Sequence, residues 1–338
     1  MKNIRYITMI MLIAAYMSIA GEISKVGTTV AQFLKIGVGA RASAMGEGFV
    51  AVANDASSIF WNPAGMAEMR NNEVLLVRTN WIVGMTYDFA TIVMPISDLG
   101  TFGLFYQGLT VGEMEVRTEY KPEGTGELFN ASSFALGLSY ARKITSRFSF
   151  GLTGKYIKEF IWHESASTFA VDVGITYNTA LKGLRLGMAL ANYGGKMRMD
   201  GKDLLRFIDI DPNLDGNNEN IISRLNTDNY DIPIIFRVGL AYDAFETDFH
   251  KFTVTLDGIS PNDYKEHLNA GFEYAFRDMV FLRGGFKGIG ISDSEVGFSA
   301  GGGLKYLTAD GMGLNVDYAY VDFGILGNVQ RISLSFLF

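Results

Sequence analysis

The stretch GTTVAQFLKIGVGARASAMGEGFVAVANDASSIFWNPAGM, residues 27–66, decides how the rest of the chain is read. It is rich in Ala, Gly and Ser, nearly free of charge, and the least strand-like part of the chain beyond the first twenty residues. Asn62 before Pro63 reads as a helix N-cap followed by proline at the first helical position, with Ala64 and Gly65 completing the motif. Asp55 starts another short turn through Ser58 in the same way. Gly37, Gly39, Gly46 and Gly48 permit tight bends and close packing against a wall. Everything after this stretch reads as β-hairpins. The segment is therefore expected to be a folded plug (residues 21–70), and residues 71–338 the barrel around it.

The barrel reading rests on alternation with period two. Phe148, Phe150, Leu152 and Tyr156 alternate with Ser149, Gly151, Thr153 and Lys155. Phe169, Val171, Val173, Ile175 and Tyr177 alternate with Ala170, Asp172, Gly174 and Thr176. Leu268, Phe272 and Tyr274 alternate with Asn269, Gly271 and Glu273, and Leu314, Val316, Tyr318 and Tyr320 with Asn315, Asp317 and Ala319. One face is aliphatic and aromatic throughout. The other is small and polar, with too little charge for a solvated exterior, so the apolar face is expected to meet lipid and the small-polar face the lumen.

Counting such segments predicts fourteen antiparallel strands near 73–81, 86–96, 100–109, 131–142, 147–158, 166–178, 183–192, 232–242, 251–257, 266–277, 279–287, 295–307, 312–321 and 329–338. Connections after even strands are mostly short; 244–250 is somewhat longer. Two connections after odd strands are long, 110–130 and above all 192–231. An even strand count with short turns on one rim and long loops on the other is the pattern of an outer-membrane barrel, and it puts both termini on the periplasmic side.

Composition agrees. The 338 residues include 39 Gly, only 6 Pro and 13% aromatics, a mix suited to glycine-containing strands. A formal net charge of −7 gives no reason to expect a nucleic-acid partner. Lys2 and Arg5, an apolar core over 6–16 and the small residues of Ser18-Ile19-Ala20 read as a signal peptide, residues 1–20, cleaved before Gly21. With no cysteine anywhere, neither disulfides nor a lipoprotein anchor are expected.

The run 27–66 resembles the N-terminal signature of the PorV/PorQ family, outer-membrane barrels associated with type IX secretion. Asn62-Pro63-Ala64-Gly65 and the preceding Asp55-Ala56-Ser57 also resemble the hatch of FadL-type long-chain fatty-acid transporters, which share that fold. The resemblance implies an all-β, 14-stranded transmembrane barrel with an N-terminal plug, and no enzyme. It also implies partners: secreted proteins bearing the type IX C-terminal signal domain, and attachment or translocon proteins. Two functions stay open, a protein-binding shuttle or accessory and a FadL-like channel for hydrophobic small molecules such as long-chain fatty acids.

Other motifs are weighed on their chemistry. Asp211, Asn213 and Asp215, followed by Gly216 and Glu219, match the first half of a calcium loop. Ile222 stands where the closing glutamate belongs, so a polar solvated loop is the competing reading, and Ca²⁺ is the only cofactor considered. Gly37-Val38-Gly39 and Gly301-Gly302-Gly303 lack the strand–loop–helix setting of phosphate loops. His163, His250 and His267 have no ligand spacing. Asp172, Glu273, Arg283, Lys287, Asp317 and Arg331 fall on the lumen face and are expected to pair with one another or with the plug. Ile332, Leu334, Phe336 and Phe338 form the apolar face of the last strand; Phe336 and Phe338 resemble the C-terminal signal read by the barrel assembly machinery. Outer-membrane lipid is the remaining expected partner.

Overall fold

The computed structural model describes residues 25–211, 218, 220–291, 297–308 and 310–338. Fourteen antiparallel strands form a closed barrel. They are β1 (Glu73–Asn80), β2 (Thr86–Ile96), β3 (Gly100–Thr110), β4 (Ala131–Lys143), β5 (Phe148–Ile161), β6 (Glu164–Asn178) and β7 (Leu184–Gly194). The second half comprises β8 (Ile235–Glu246), β9 (His250–Pro261), β10 (His267–Phe276), β11 (Val280–Ile289), β12 (Phe298–Leu307), β13 (Gly313–Asp322) and β14 (Asn328–Leu337). β1 closes the ring against β14 from Glu73↔Leu337 to Asn80↔Gln330. A two-residue strand, Asp200–Gly201, adds to the edge of β6 at Ser165 and Glu164.

Facing follows the alternation. On β5, Ser149, Gly151, Thr153 and Lys155 are buried inside, while Leu152 points outward and is exposed. Asn269 and Glu273 of β10 are buried while Phe272 between them is exposed, and on β14 Arg331, Ser333 and Ser335 are buried between the outward Ile332 and Phe336. Because the side-chain period is two, a single register fixes every one of these facings.

Four expectations change. β8 runs from Ile235 rather than 232 and continues across a bulge between Asp243 and Phe245 to Glu246, so the turn to β9 is only 247–249. The apolar-polar rhythm breaks at a bulge, which is why the strand seemed to end early. β9 extends to Pro261 rather than 257. The two long loops also carry structure of their own: Met114–Glu115 pairs with Leu128–Phe129, and Leu205–Ile208 pairs with Ile221–Arg224.

The fourth change concerns the ends. Phe338 lies at the short-turn rim, its backbone N–H donating to Asn72 O at 3.1 Å. Residues 28–31 lie at the opposite rim, where Val30 N donates to Asp231 O at 3.0 Å and the Thr29 hydroxyl to Asp263. Strand parity places only the start of β1, and forty residues of chain before it reach across the barrel.

Removing Phe338 takes away the last backbone bond to Asn72 and an outward aromatic next to Phe336. The truncated chain is expected to yield less heat-modifiable, membrane-inserted protein than the full chain, read by gel shift of the unboiled sample. Equal yields would show that the terminal aromatic has no part in insertion.

Candidate functional site

The described N-terminal residues fold against the inward faces of the strands. Ala31 takes a left-handed conformation (φ 53°) and leads into a 3₁₀ turn, Gln32–Lys35. A short helix, α1 (Ala40–Ala44), follows Gly39, and Gly46-Glu47 reverses the chain with φ of 62° and 61°. A second short helix, α2 (Ser58–Trp61), runs into the 3₁₀ turn Pro63–Glu68. Val38, Ala40, Ala42, Ala44, Met45, Phe49 and Val50 are wholly buried.

Asn62 does more than cap. Its Oδ1 accepts from Ala64 N at 3.2 Å, as an N-cap should. Its amide donates to Val50 O inside the segment and to Ile175 O on β6, both at 3.0 Å. One buried amide thus ties two parts of the segment and the wall together. Asp55 accepts from Ser57 N at 2.9 Å and shapes the turn before α2. Gly65 has no room for a side chain: a Cβ would lie 1.9 Å from Ala53 O.

The small residues of the wall let backbone meet backbone. A Cβ on Gly151 would sit 2.3 Å from Pro63 C, one on Gly187 2.4 Å from Val50 O, and one on Gly271 2.2 Å from Met45 O. Ser299 and Ser333 accept from Gly46 N (3.0 Å) and Ala40 N (2.7 Å). Asp257 Oδ2 accepts from both Phe49 N and Val50 N, at 2.7 and 2.8 Å.

The isolated charges of the segment find partners on the wall, as buried charges must. Arg41 makes a bidentate pair with Glu273 (2.8 and 2.9 Å) and also reaches Asp55 at 2.8 Å. Arg283 bridges Glu273 (2.6 Å) and Asp317 (2.5 Å). Lys287 pairs with Glu47 at 2.6 Å, Lys155 with Asp172 at 2.7 Å, and Arg331 donates to Ser43 Oγ. Among the lumen-facing charges expected to pair, all six therefore have polar partners. Sequence reading placed Lys155 on the inward face without naming its partner, and missed Arg41, Glu47, Asp257 and Arg237. The last is buried over the Phe60 and Trp61 rings at 5.7 and 5.4 Å, a cation–π contact. A lone charge in an apolar run is the signal that could have exposed Arg41 and Glu47.

At the long-loop rim one carboxylate gathers three side chains from the start of the segment, while Glu159 accepts from Ala31 N at 3.2 Å. Asp263, in the β9–β10 connection, accepts from Thr29 Oγ1 (2.5 Å), Gln32 Nε2 (2.8 Å) and Lys35 Nζ (3.0 Å). These donors outweigh its desolvation and hold its carboxyl below the usual carboxylate range. A group with a depressed folded pKa contributes stability above its unfolded pKa of about 3.9 and loses it as pH falls through the folded value. Proteolytic release or hydrogen exchange of residues 25–36 is therefore expected to rise below about pH 4, and Asp263→Asn to raise it at neutral pH and flatten the profile. An unchanged profile would show that other contacts hold the rim.

Two cavities flank the packed middle. One of about 420 Å³ opens at the short-turn rim and is lined largely by charge, including Arg41, Asp55, Glu73, Glu273 and Arg283. The other, about 380 Å³, lies beside Val30 at the long-loop rim with Met197, Met199 and Tyr230. Among the described residues, no three His, Cys, Asp or Glu side chains are grouped to hold a metal ion. Of the candidate calcium loop, Asn213, Asp215 and Glu219 lie outside the described residues, as does the signal peptide. Asp211 is described but exposed.

The Leu205–Ile208 and Ile221–Arg224 hairpin stands on the long-loop rim, closed at its base by Leu225 N donating to Leu204 O at 2.8 Å. Phe207 and Ile222 are exposed over more than 60% of their surface.

No curated protein sequence matches this chain. Solved structures do match its fold. The Pseudomonas putida toluene transporter TodX superposes with a TM-score of 0.55 at 13% identity, covering 89% of this chain and 96% of its own. The Ralstonia pickettii toluene transporter TbuX gives 0.54 at 11%, covering 89% and 97%. A Pseudomonas aeruginosa FadL homologue gives 0.50 at 14%, covering 88% and 96%. At these identities the likeness is one of fold alone, a closed fourteen-stranded barrel. The family described as type IX secretion system protein PorV matches residues 20–258. A barrel of this fold, matched over most of its length by that family, belongs to the PorV family, which points to the outer membrane as its site.

Proposed function

We propose that this barrel is a protein-binding accessory or shuttle of type IX secretion. Residues 21–70 act as its plug, and the hairpin at the long-loop rim is its partner surface. The protein is exported by residues 1–20, inserted by the assembly machinery through its terminal aromatic strand, and performs no catalysis. Its partners are exported proteins bearing the type IX C-terminal signal domain, or the attachment and translocon proteins that handle them. The observation that carries this reading is the filled middle of the barrel: seven residues from Val38 to Val50 are wholly buried against a wall that admits no Cβ at Gly151, Gly187 or Gly271. A hydrophobic-molecule channel needs a continuous apolar path, and the short-turn cavity is charged instead. Apolar side chains held out on a structured hairpin suit a protein partner.

A second reading, transport of hydrophobic small molecules, draws on the cavity beside Val30, Ala166, Met197 and Met199, which Glu159 and Asp228 also line. The test replaces residues 205–224 by Asn-Gly, joining Leu204 to Leu225 where they already bond. The barrel is expected to keep its heat-modifiability while co-purification of signal-domain cargo or translocon proteins falls at least about tenfold, as loss of a central apolar cluster does. Undiminished capture would remove the hairpin from the reading. Saturable binding of toluene or a long-chain fatty acid, lost on Asn62→Leu, would favour the transporter.

A further inference from the structure

The cavity of about 380 Å³ at the long-loop rim is built from three parts of the chain. Glu159 of β5 and its register partner Ala166 of β6 form one side. Val30 of the N-terminal segment forms the second, fixed where its N–H donates to Asp231 O at 3.0 Å. The connection between β7 and β8 forms the third, with Met197 and Met199 on one limb and Thr227, Asp228 and Tyr230 on the other. The two limbs are tied together. Met197 and Tyr230 exchange two backbone hydrogen bonds at 2.9 Å, and the Thr227 hydroxyl donates to Met199 O at 2.6 Å. Met197 is 1% exposed, whereas Asp228 and Tyr230 are open to solvent, so the pocket is apolar within and polar at its mouth.

Its charge is of one sign. Glu159 and Asp228 line it and no basic residue does. Among the described residues neither makes an ion pair, because the basic side chains of this rim are engaged elsewhere. Lys35 pairs with Asp263 at 3.0 Å, Lys196 with Asp231 at 3.5 Å and Arg224 with Asp200 at 2.9 Å. Lys158 precedes Glu159 but lies on the outward side of β5, over the Phe160 ring at 4.4 Å. Glu159 is half-buried, and its two oxygens accept from Ala31 N and Ser133 Oγ, both at 3.2 Å. Each carboxylate oxygen keeps a second lone pair for a further donor. A half-buried carboxylate with no cation is completed by one from outside.

We propose that this pocket receives one basic side chain, lysine or arginine, from the protein that docks on the rim; the proposal rests on the shuttle or accessory reading above. The methylene stem lies against Val30, Ala166, Met197 and Met199, and the cationic end reaches Glu159 and Asp228. Unbranched methionine side chains adapt to whichever stem enters. Position favours a protein as the source. The lining residue Asn226 directly follows Leu225, which closes the base of the 205–224 hairpin on Leu204 at 2.8 Å. A partner seated on Phe207 and Ile222 is therefore beside the mouth of the pocket. The same two carboxylates repel the head of a fatty acid.

The first measurement uses the full-length barrel in mild detergent, isotopically labelled at the methionine methyls. It is titrated with acetyl-Gly-X-Gly-amide peptides in which X is lysine, arginine, norleucine or glutamate. The Met197 and Met199 resonances are assigned from Met197→Leu and Met199→Leu. The lysine and arginine peptides are expected to shift both methyls saturably, and the norleucine peptide to bind at least about fivefold more weakly. Glu159→Gln and Asp228→Asn should each weaken the lysine peptide about two- to fivefold, and together about tenfold. Gln still accepts from Ala31 N, so the start of the segment stays held; heat-modifiability and unmoved resonances of the other methionines are the folding controls. In the second measurement the double variant, its hairpin intact, should capture at least about threefold less signal-domain cargo or translocon protein. Equal binding of the norleucine peptide, a preference for the glutamate peptide, or a double variant that binds the lysine peptide like wild type would each overturn the proposal. Capture that is lost with the hairpin but unchanged in the double variant would also overturn it, leaving the shuttle reading intact. A lysine preference in a wild-type barrel that captures no type IX protein would sink that reading, and with it a protein as the occupant.

Discussion

Replacing Arg283 with methionine is expected to lower barrel stability by about 3–5 kcal/mol, the usual cost of breaking a buried ion pair by removing one partner. Arg283 is 2% exposed and holds two acids at once, Glu273 at 2.6 Å and Asp317 at 2.5 Å. Glu273 keeps Arg41 as a partner after the change, but Asp317 loses its only ion pair among the described residues. A buried carboxylate without a cation is the expensive part of the substitution. The double variant Arg283→Met with Asp317→Asn should therefore recover much of the loss. The measurement is the urea midpoint of heat-modifiability for wild type, single and double variants in one detergent. A single variant as stable as wild type would mean that water reaches Asp317, and that the network is a solvated rim rather than a packed core. The same network holds Arg41, so the segment's docking should weaken with it.

The second large effect is expected at Gly285. A Cβ there would lie 2.2 Å from both Gly46 N and Met45 C, backbone atoms that no rotamer change can move. Gly285→Val forces the turn at residues 45–46 away from β11. It pulls on the Gly46–Ser299 hydrogen bond at 3.0 Å and the Lys287–Glu47 pair at 2.6 Å. The destabilisation should exceed the about 1–3 kcal/mol of ordinary core overpacking, because backbone rather than side chain must give way. Limited proteolysis of residues 25–70 should become fast while the strands stay protected. Gly154→Val is the control. It too sits mid-strand, but on the outer face, with nothing within 4 Å of its Cβ, and valine suits a strand. Matching effects at the two positions would mean that the close approach of segment and wall is not what holds the segment.

These two positions also show where reading the chain stops. The choice of glycine at 285 gives no local sign of what it avoids. Its neighbour Gly284 would place a Cβ 2.7 Å from the Phe272 ring, a flexible side chain. The difference lies in which side of the sheet each faces and in what stands there. Likewise Arg41 and Glu47 sit within a few residues of each other, yet their partners on the wall are more than 200 residues away, on β10 and β11. Loop closure over such distances leaves no periodic trace in the sequence.

Alternation along the chain was enough to establish the strands, their facing and the ring of fourteen. A period-two pattern has only one register that hides its polar face, and that constraint is local. The Asn62-Pro63 cap was legible for the same reason, since an N-cap is satisfied by a backbone N–H two residues on. The bulge that lengthens β8 and the placing of residues 28–31 at the rim opposite Phe338 were decided by tertiary structure. So were the partners that Arg41, Glu47 and Arg283 find on distant strands. Each depends on which distant backbone comes within a few ångströms, and that is set only when the sheet closes and the segment before β1 packs inside it.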